Sequence, residues 1–237
     1  MTSFSKHSRP VRYGASSPRF LGVLLALTVA VLSCQGFAEG AADRTPEHQT
    51  IVVLGDSLAA GYGLDLSEAF PALLQKKIDA AGLKFSVVNA GISGDTSAGG
   101  LRRIDWLLKR RVDVLVLELG GNDGLRGIPV GVTRTNLQSI IDRTKQKYPQ
   151  SQIVVAGMQM PPNMGAEYNT AFEKIFPDLA KRNNAALVPF LLEGVGGKPE
   201  LNLPDMIHPT ADGHQIVAEN VWKVLKPALE TATTAKP

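Results

Sequence analysis

Cysteine is almost missing from this chain: among its 237 residues only Cys34 carries a thiol. That one lies near the N-terminus, so whatever folds after it has neither a disulfide framework nor a thiol nucleophile. Histidine is nearly as scarce, with His7, His48, His208 and His214 making up the full set. The first two fall in a leader and its flank, which leaves two candidate bases for the folded part. A charge excess is missing as well. Residues 1–38 hold four basic side chains and no acidic one, so the remainder carries 21 basic against 22 acidic residues and the overall +3 belongs to the leader. A balance of that kind lacks the electrostatic footprint of a nucleic-acid binder. There is no internal repeat and no low-complexity core.

A membrane-spanning run is also absent. The longest apolar stretch, residues 20–32, is 13 residues long, where a transmembrane helix needs about 20. It follows Lys6, Arg9, Arg12 and Arg19 and precedes the small residues of Gly36-Phe37-Ala38. This is the layout of a signal peptide cleaved near Ala38, and it predicts export. Val31-Leu32-Ser33-Cys34 resembles a bacterial lipoprotein processing site, so anchoring through a lipid on Cys34 is an alternative. The chain divides into a signal peptide (1–38), a polar linker (39–49), one domain of ordinary size (50–230) and a flexible tail (231–237).

Within that domain, short β-branched runs alternate with stretches of helical period. Ile51, Val52, Val53 and Leu54 read as a strand apolar on both faces, the mark of a covered parallel sheet. Further strands are expected over 85–88, 112–119 (the longest), 153–156 and 186–188. Helices are expected over 67–81 with Phe70, Leu73, Leu74 and Ile78 inward, around Leu101, Ile104, Leu107 and Leu108, and around Leu137, Ile140 and Ile141. Two more follow, over 169–182 and, beyond His208, around Val217, Val221, Val224 and Leu225. Such alternation predicts an α/β fold of parallel strands with helices on both faces. Ligands bind such sheets beyond the carboxyl ends of the strands, and the polar motifs fall there.

Gly55-Asp56-Ser57-Leu58-Ala59 follows the first strand. It is not the nucleophile elbow of the α/β-hydrolases, because Ala59 stands where that turn needs glycine. The bland reading of Ser57 is a helix N-cap; the functional one is a nucleophile. Asp205 and His208, three apart, could present a carboxylate and an imidazole to one hydroxyl, the Asp holding Nδ1–H so that Nε2 faces the serine. Their bland reading is a capping Asp and a solvated His. His214, inside the last helix, reads as a surface or packing residue and not as the base. An acyl-transfer site also needs donors for an oxyanion. Gly94 could bring a backbone N–H close to the substrate, and Gly120-Gly121 could turn the Asn122 amide into the cleft; plain turn glycines are the alternative.

Taken together these segments resemble the four sequence blocks of the SGNH hydrolases, also called the GDSL family. The likeness runs from about residue 51 to 229. Within the family the chain most resembles the bacterial periplasmic thioesterase, lysophospholipase and arylesterase group. That resemblance rests on Ser93-Gly94-Asp95-Thr96-Ser97, on the ten residues Glu118-Leu119-Gly120-Gly121-Asn122-Asp123-Gly124-Leu125-Arg126-Gly127, and on Ile207-His208-Pro209. It implies a three-layer α/β/α sandwich, flavodoxin-like, around a five-stranded parallel sheet, with no metal or organic cofactor. It implies Ser57 as nucleophile, His208 as base and Asp205 as its orienting carboxylate, and an oxyanion hole from Ser57, Gly94 and the Asn122 amide. It also places the acyl pocket near residues 158–168, where Met158, Met160 and Pro161 are candidate substrate contacts and flexible methionines suit an adaptable apolar wall.

The reading this favours is an exported serine esterase and thioesterase, periplasmic with secretion as the alternative, acting on small-molecule substrates with apolar acyl groups, such as acyl-CoA, lysophospholipid or aryl esters. Membrane contact is expected only through the substrate or a lipid on Cys34. A carbohydrate O-acetyl esterase of the same family is the alternative. A metal-dependent hydrolase using Asp56, Asp205 and His208 would have a thin ligand shell, and a non-catalytic lipid binder would have no use for the complete set of reactive residues.

Overall fold

The structure, a computed structural model, describes residues 48–234. The signal peptide, Cys34, most of the linker and the last three residues lie outside the described residues. Five strands form one sheet: β1 (Gln49–Gly55), β2 (Phe85–Gly91), β3 (Val114–Glu118), β4 (Gln152–Ala156) and β5 (Ala186–Val188). Their order is β2-β1-β3-β4-β5 and every pairing is parallel. Helices α1 (Ser57–Ala60), α2 (Phe70–Ala80), α3 (Ser97–Leu107), α4 (Gly121–Leu125), α5 (Val130–Lys147), α6 (Ala166–Glu173), α7 (Ile175–Asn183) and α8 (Ala211–Thr234) connect or follow them. Helix α2 packs on α8, α3 on α5, and α5 on α7. This is the expected α/β sandwich. Ile51, Val52, Val53 and Leu54 have no exposed surface, which is why β1 is apolar without alternation: helices cover it from both sides.

Topology and register put the polar motifs together. The chain runs from β1 to β2 on one side, then crosses to β3 on the other, so β1 and β3 flank the switch point where such sheets open a crevice. In register, Gly55 stands opposite both Gly91 and Glu118. The last residue of β1 is thus level with the carboxyl end of β2 and of β3, and the three following loops begin side by side. Arg103 fastens them: its guanidinium donates to the carbonyls of Gly55 (2.9 Å) and Ala90 (2.7 Å) and pairs with Asp95 at 2.8 Å.

Four elements differ from expectation. The stretch 112–119 is not the longest strand; β3 has five residues and β1 and β2 have seven each. Val112 and Leu119 are buried all the same, so the apolar run reports burial at both ends rather than pairing. Gly120, at φ +116°, turns the chain out of the sheet. The single helix expected over 169–182 is two, α6 and α7, meeting at Lys174. Pro177 lacks the N–H that would bond four residues back, so the ladder breaks there although the apolar period runs on. Helix α2 begins at Phe70, not near residue 67, and α8 continues to Thr234.

Candidate active site

Asp56 is the N-cap of α1. Its Oδ1 accepts the Leu58 N–H at 3.0 Å, so the cap role that could have occupied Ser57 belongs to its neighbour. Ser57, the first residue of the helix, is left with its hydroxyl free for other work. That hydroxyl lies 2.9 Å from His208 Nε2, across 151 residues of sequence. On the far side of the ring, His208 Nδ1 is 2.7 Å from Asp205 Oδ2. A carboxylate only accepts, so Nδ1 carries the proton and the Nε2 lone pair faces the serine hydroxyl.

The loop that presents the pair is held by the same carboxylate. Asp205 Oδ1 accepts the backbone N–H groups of Ile207 (2.9 Å) and His208 (3.0 Å). These bonds, that of the His208 backbone foremost, hold the Asp205 carboxyl down at about 2, against 3.8 for a free one. Within this turn Met206 adopts φ +59°, a conformation unusual for a side chain of its size. Leu203 N donates to His208 O at 2.7 Å and Asn202 bridges Pro209, so the turn is tied back at its base. Tyr62 lays its ring against the imidazole with centroids 4.4 Å apart.

Ser57, His208, Asn122, Met158, Met160 and Pro161 all line one cleft of about 650 Å³, and Asp205 reaches it too. Met160 fits because of Gly124: a Cβ there would stand 2.1 Å from the Met160 sulfur. Gly94 is the exception among the expected site residues. It sits at φ +79° in the loop after β2, outside the cleft lining, and its carbonyl accepts from Arg126 at 3.0 Å. Asn122 is helical, and its amide nitrogen donates to Asp56 Oδ2 at 3.1 Å. Next to it, buried Asp123 accepts from the Ser97 backbone and from the Ser97 and Thr133 hydroxyls, locking α4 against α3 and α5.

Two carboxyls beneath the serine were given no part in the serine-hydrolase reading of the sequence. Glu118, at the end of β3, is 1% exposed, accepts the Asp56 N–H at 3.1 Å through Oε2, and leaves Oε1 without a hydrogen-bond partner. Burial, with Asp56 nearby, pushes its carboxyl well above the usual range. Burial likewise pushes Asp56 up to about 6 from 3.8. The only available sign was an acidic residue ending an otherwise apolar strand. His214, with surface and packing both open, proves buried; its Nδ1 accepts the Phe70 N–H at 3.1 Å. Among the described residues no three His, Cys, Asp or Glu side chains are grouped to hold a metal. Asp56, Asp205 and His208 are instead each committed to hydrogen bonds of their own.

A parallel α/β sandwich with an Asp–His–Ser relay at its switch point defines a serine hydrolase-like site, built without the elbow of the α/β-hydrolases. Comparison with known proteins agrees: residues 53–216 match the model of the GDSL-like lipase/acylhydrolase family. The chain belongs to that family. It is 44% identical over 182 residues to "Esterase TesA" of Pseudomonas aeruginosa, covering 76% of this chain and 90% of that protein. It is 43% identical over 185 residues to "Thioesterase 1/protease 1/lysophospholipase L1" of Escherichia coli (strain K12), covering 78% and 86%. A crystal structure of the psychrotrophic esterase EstA from Pseudoalteromonas sp., inhibited by monoethylphosphonate, superposes with a TM-score of 0.72 at 35% identity, over 77% of this chain and 99% of that one.

Proposed function

We propose that this chain hydrolyses carboxylic esters and thioesters with apolar acyl groups through an acyl-enzyme on Ser57. The observation that carries this reading is the continuous relay of 2.7 and 2.9 Å from Asp205 through His208 to Ser57 at an apolar cleft. His208 takes the hydroxyl proton as Oγ attacks the carbonyl, and Asp205 holds the ring and balances the imidazolium. The developing oxyanion is met by the backbone N–H of Ser57 and by the Asn122 amide, and Gly94, outside the cleft lining, would have to bring its N–H in from the loop after β2. His208 then returns the proton to the departing alkoxide or thiolate, and water activated by the same ring releases the acid. Met158, Met160 and Pro161 are the acyl-side wall. Relatives named esterase, thioesterase and lysophospholipase support the ester and thioester range, and the phosphonate-inhibited neighbour supports a serine nucleophile. The leader supports export to the periplasm. No helix among the described residues is long and apolar enough to cross a membrane.

The test is a panel of acyl-CoA thioesters, lysophospholipids and p-nitrophenyl esters of graded acyl length, run on wild type and on Ser57→Ala. The variant is expected to stay folded and lose roughly 10³-fold or more in turnover; one that keeps most of its activity sinks the assignment. Preference for octanoyl over acetyl is expected, because a cleft of about 650 Å³ lined by methionines and proline has room for a chain. A sharp preference for acetyl would favour the carbohydrate O-acetyl esterase instead.

A further inference from the structure

An amide side chain has two ends of nearly equal shape, and only the nitrogen end can stabilise an oxyanion. Something must therefore decide which end of Asn122 faces the cleft. We propose that Asp56 is a positioning residue for the oxyanion hole: one of its oxygens holds the Asn122 amide nitrogen-first while the other caps the helix that carries Ser57. The proposal rests on the serine hydrolase reading above and adds a residue to it.

The geometry assigns each atom of Asp56 a separate task. Oδ2 accepts from Asn122 Nδ2 at 3.1 Å, and Oδ1 accepts from Leu58 N at 3.0 Å. A carboxylate offers no donor, so the Asn122 carbonyl cannot take the place of its nitrogen there. One N–H of the amide is spent on Asp56, and the other remains for the cleft that Asn122 lines. Two donors approach from two sides, so two acceptor oxygens are required. An asparagine or serine at this position could satisfy only one of them.

Asp56 is itself held still. Its N–H donates to Glu118 Oε2 at 3.1 Å, and a Cβ on Gly55 would stand 2.3 Å from that same oxygen, so the backbone is seated directly on the Glu118 carboxyl. A Cβ on Gly121 would lie 3.4 Å from Asp56 Oδ2, in van der Waals contact, so the α4 end adjoins the group from the other side. Asp56 is 2% exposed. Burying a carboxylate costs free energy, and capping a four-residue helix could have been done by an uncharged serine. What a serine could not do is supply the second acceptor. Burial pushes the Asp56 carboxyl up to about 6 and no further, so near neutral pH it is chiefly the carboxylate to which both donors point.

The experiment separates the cap from the amide. Asp56→Ser keeps a capping oxygen for Leu58 N–H and removes the acceptor for Asn122. With a p-nitrophenyl ester as substrate, kcat and KM are measured for wild type, Asn122→Ala, Asp56→Ser and the double variant, with Tm recorded for each. Loss of one oxyanion donor typically lowers kcat about 10²–10³-fold, and that is the expectation for Asn122→Ala. Asp56→Ser is expected to lose at least about tenfold in kcat with KM little changed. The double variant should be no slower than Asn122→Ala alone, because Asp56 has nothing left to position. Full activity in Asp56→Ser, or losses that multiply in the double variant, overturns the proposal while leaving the hydrolase reading intact. Full activity in Asn122→Ala removes the amide from the oxyanion hole and overturns the proposal with it. Should Asp56→Ser melt below the assay temperature, Asp56→Thr, which also keeps a single capping oxygen and removes the acceptor for Asn122, is carried through the same double-variant comparison, where full activity or multiplying losses again overturn the proposal.

Discussion

His214 ties acid stability to a helix start. Helix α2 has Ala69 at its N-cap, which offers no side-chain acceptor. The Phe70 N–H there is taken by His214 Nδ1 at 3.1 Å, from 144 residues away. The ring is 1% exposed, and burial holds its pKa down to about 4, from 6.5. The folded protein therefore keeps the imidazole neutral where the unfolded chain would protonate it. With the folded pKa below the unfolded one, the contribution is fully present above 6.5 and drains away as pH falls toward about 4. The limiting size is about 3 kcal/mol, since each pH unit of difference corresponds to about 1.4 kcal/mol. Between about pH 7.5 and pH 5 the loss is about 2 kcal/mol. His214→Asn keeps an acceptor near the position of Nδ1 and cannot titrate in this range. Urea unfolding of both proteins at the two pH values isolates the effect, because the opposing contribution of Asp56 and Glu118, whose raised pKa values favour folding as pH falls, is common to both. The expected result is a stability gap between wild type and variant that shrinks or reverses by about 2 kcal/mol on acidification. A gap that stays constant refutes the reasoning.

Three further outcomes concern the site. Asp205 stays ionised down to about 2, so wild-type activity should show no loss attributable to it at any ordinary assay pH. Asp205→Asn, unable to hold Nδ1–H as an anion, is expected to lower kcat roughly 10²-fold or more; a loss under about tenfold would remove the orienting role. Gly55→Ala would place a Cβ 2.3 Å from Glu118 Oε2 and 2.5 Å from the Ala59 Cβ. Overpacking of that kind costs about 1–3 kcal/mol, and scanning calorimetry should show Tm lowered by several degrees; an unchanged Tm would mean that the floor beneath Ser57 yields easily.

Much of the site was legible because its chemistry is written in short motifs at strand ends. The apolar strands announce a covered parallel sheet by their composition alone, and scarcity of histidine narrows the base to two residues. The Asp205–His208 spacing predicts a pair on one turn, and that is how the loop presents them, 2.7 Å apart. What no local pattern could supply is contact across long separations. Ser57 meets His208 only because α8 returns its preceding loop to the carboxyl edge of the sheet. The apolar run at 112–119 conceals where pairing stops, and the break at Pro177 hides inside an unbroken helical period. Gly94 is recognisable as a flexible glycine, yet its place beside Arg126 rather than in the cleft lining depends on how two loops pack.

The order of residues along the chain was enough to set the fold class, the chemical groups available and the succession in which they arrive, because periodicity, turn residues and short-range spacing are local properties. Packing settled which groups share a hydrogen bond, which carboxyls lose their water and which glycines have no room for a side chain. Those outcomes depend on register and contact between segments far apart in the chain. The acid pair of Asp56 and Glu118 is the clearest instance: separated by 62 residues, they act on one another only because β1 and β3 end level with each other.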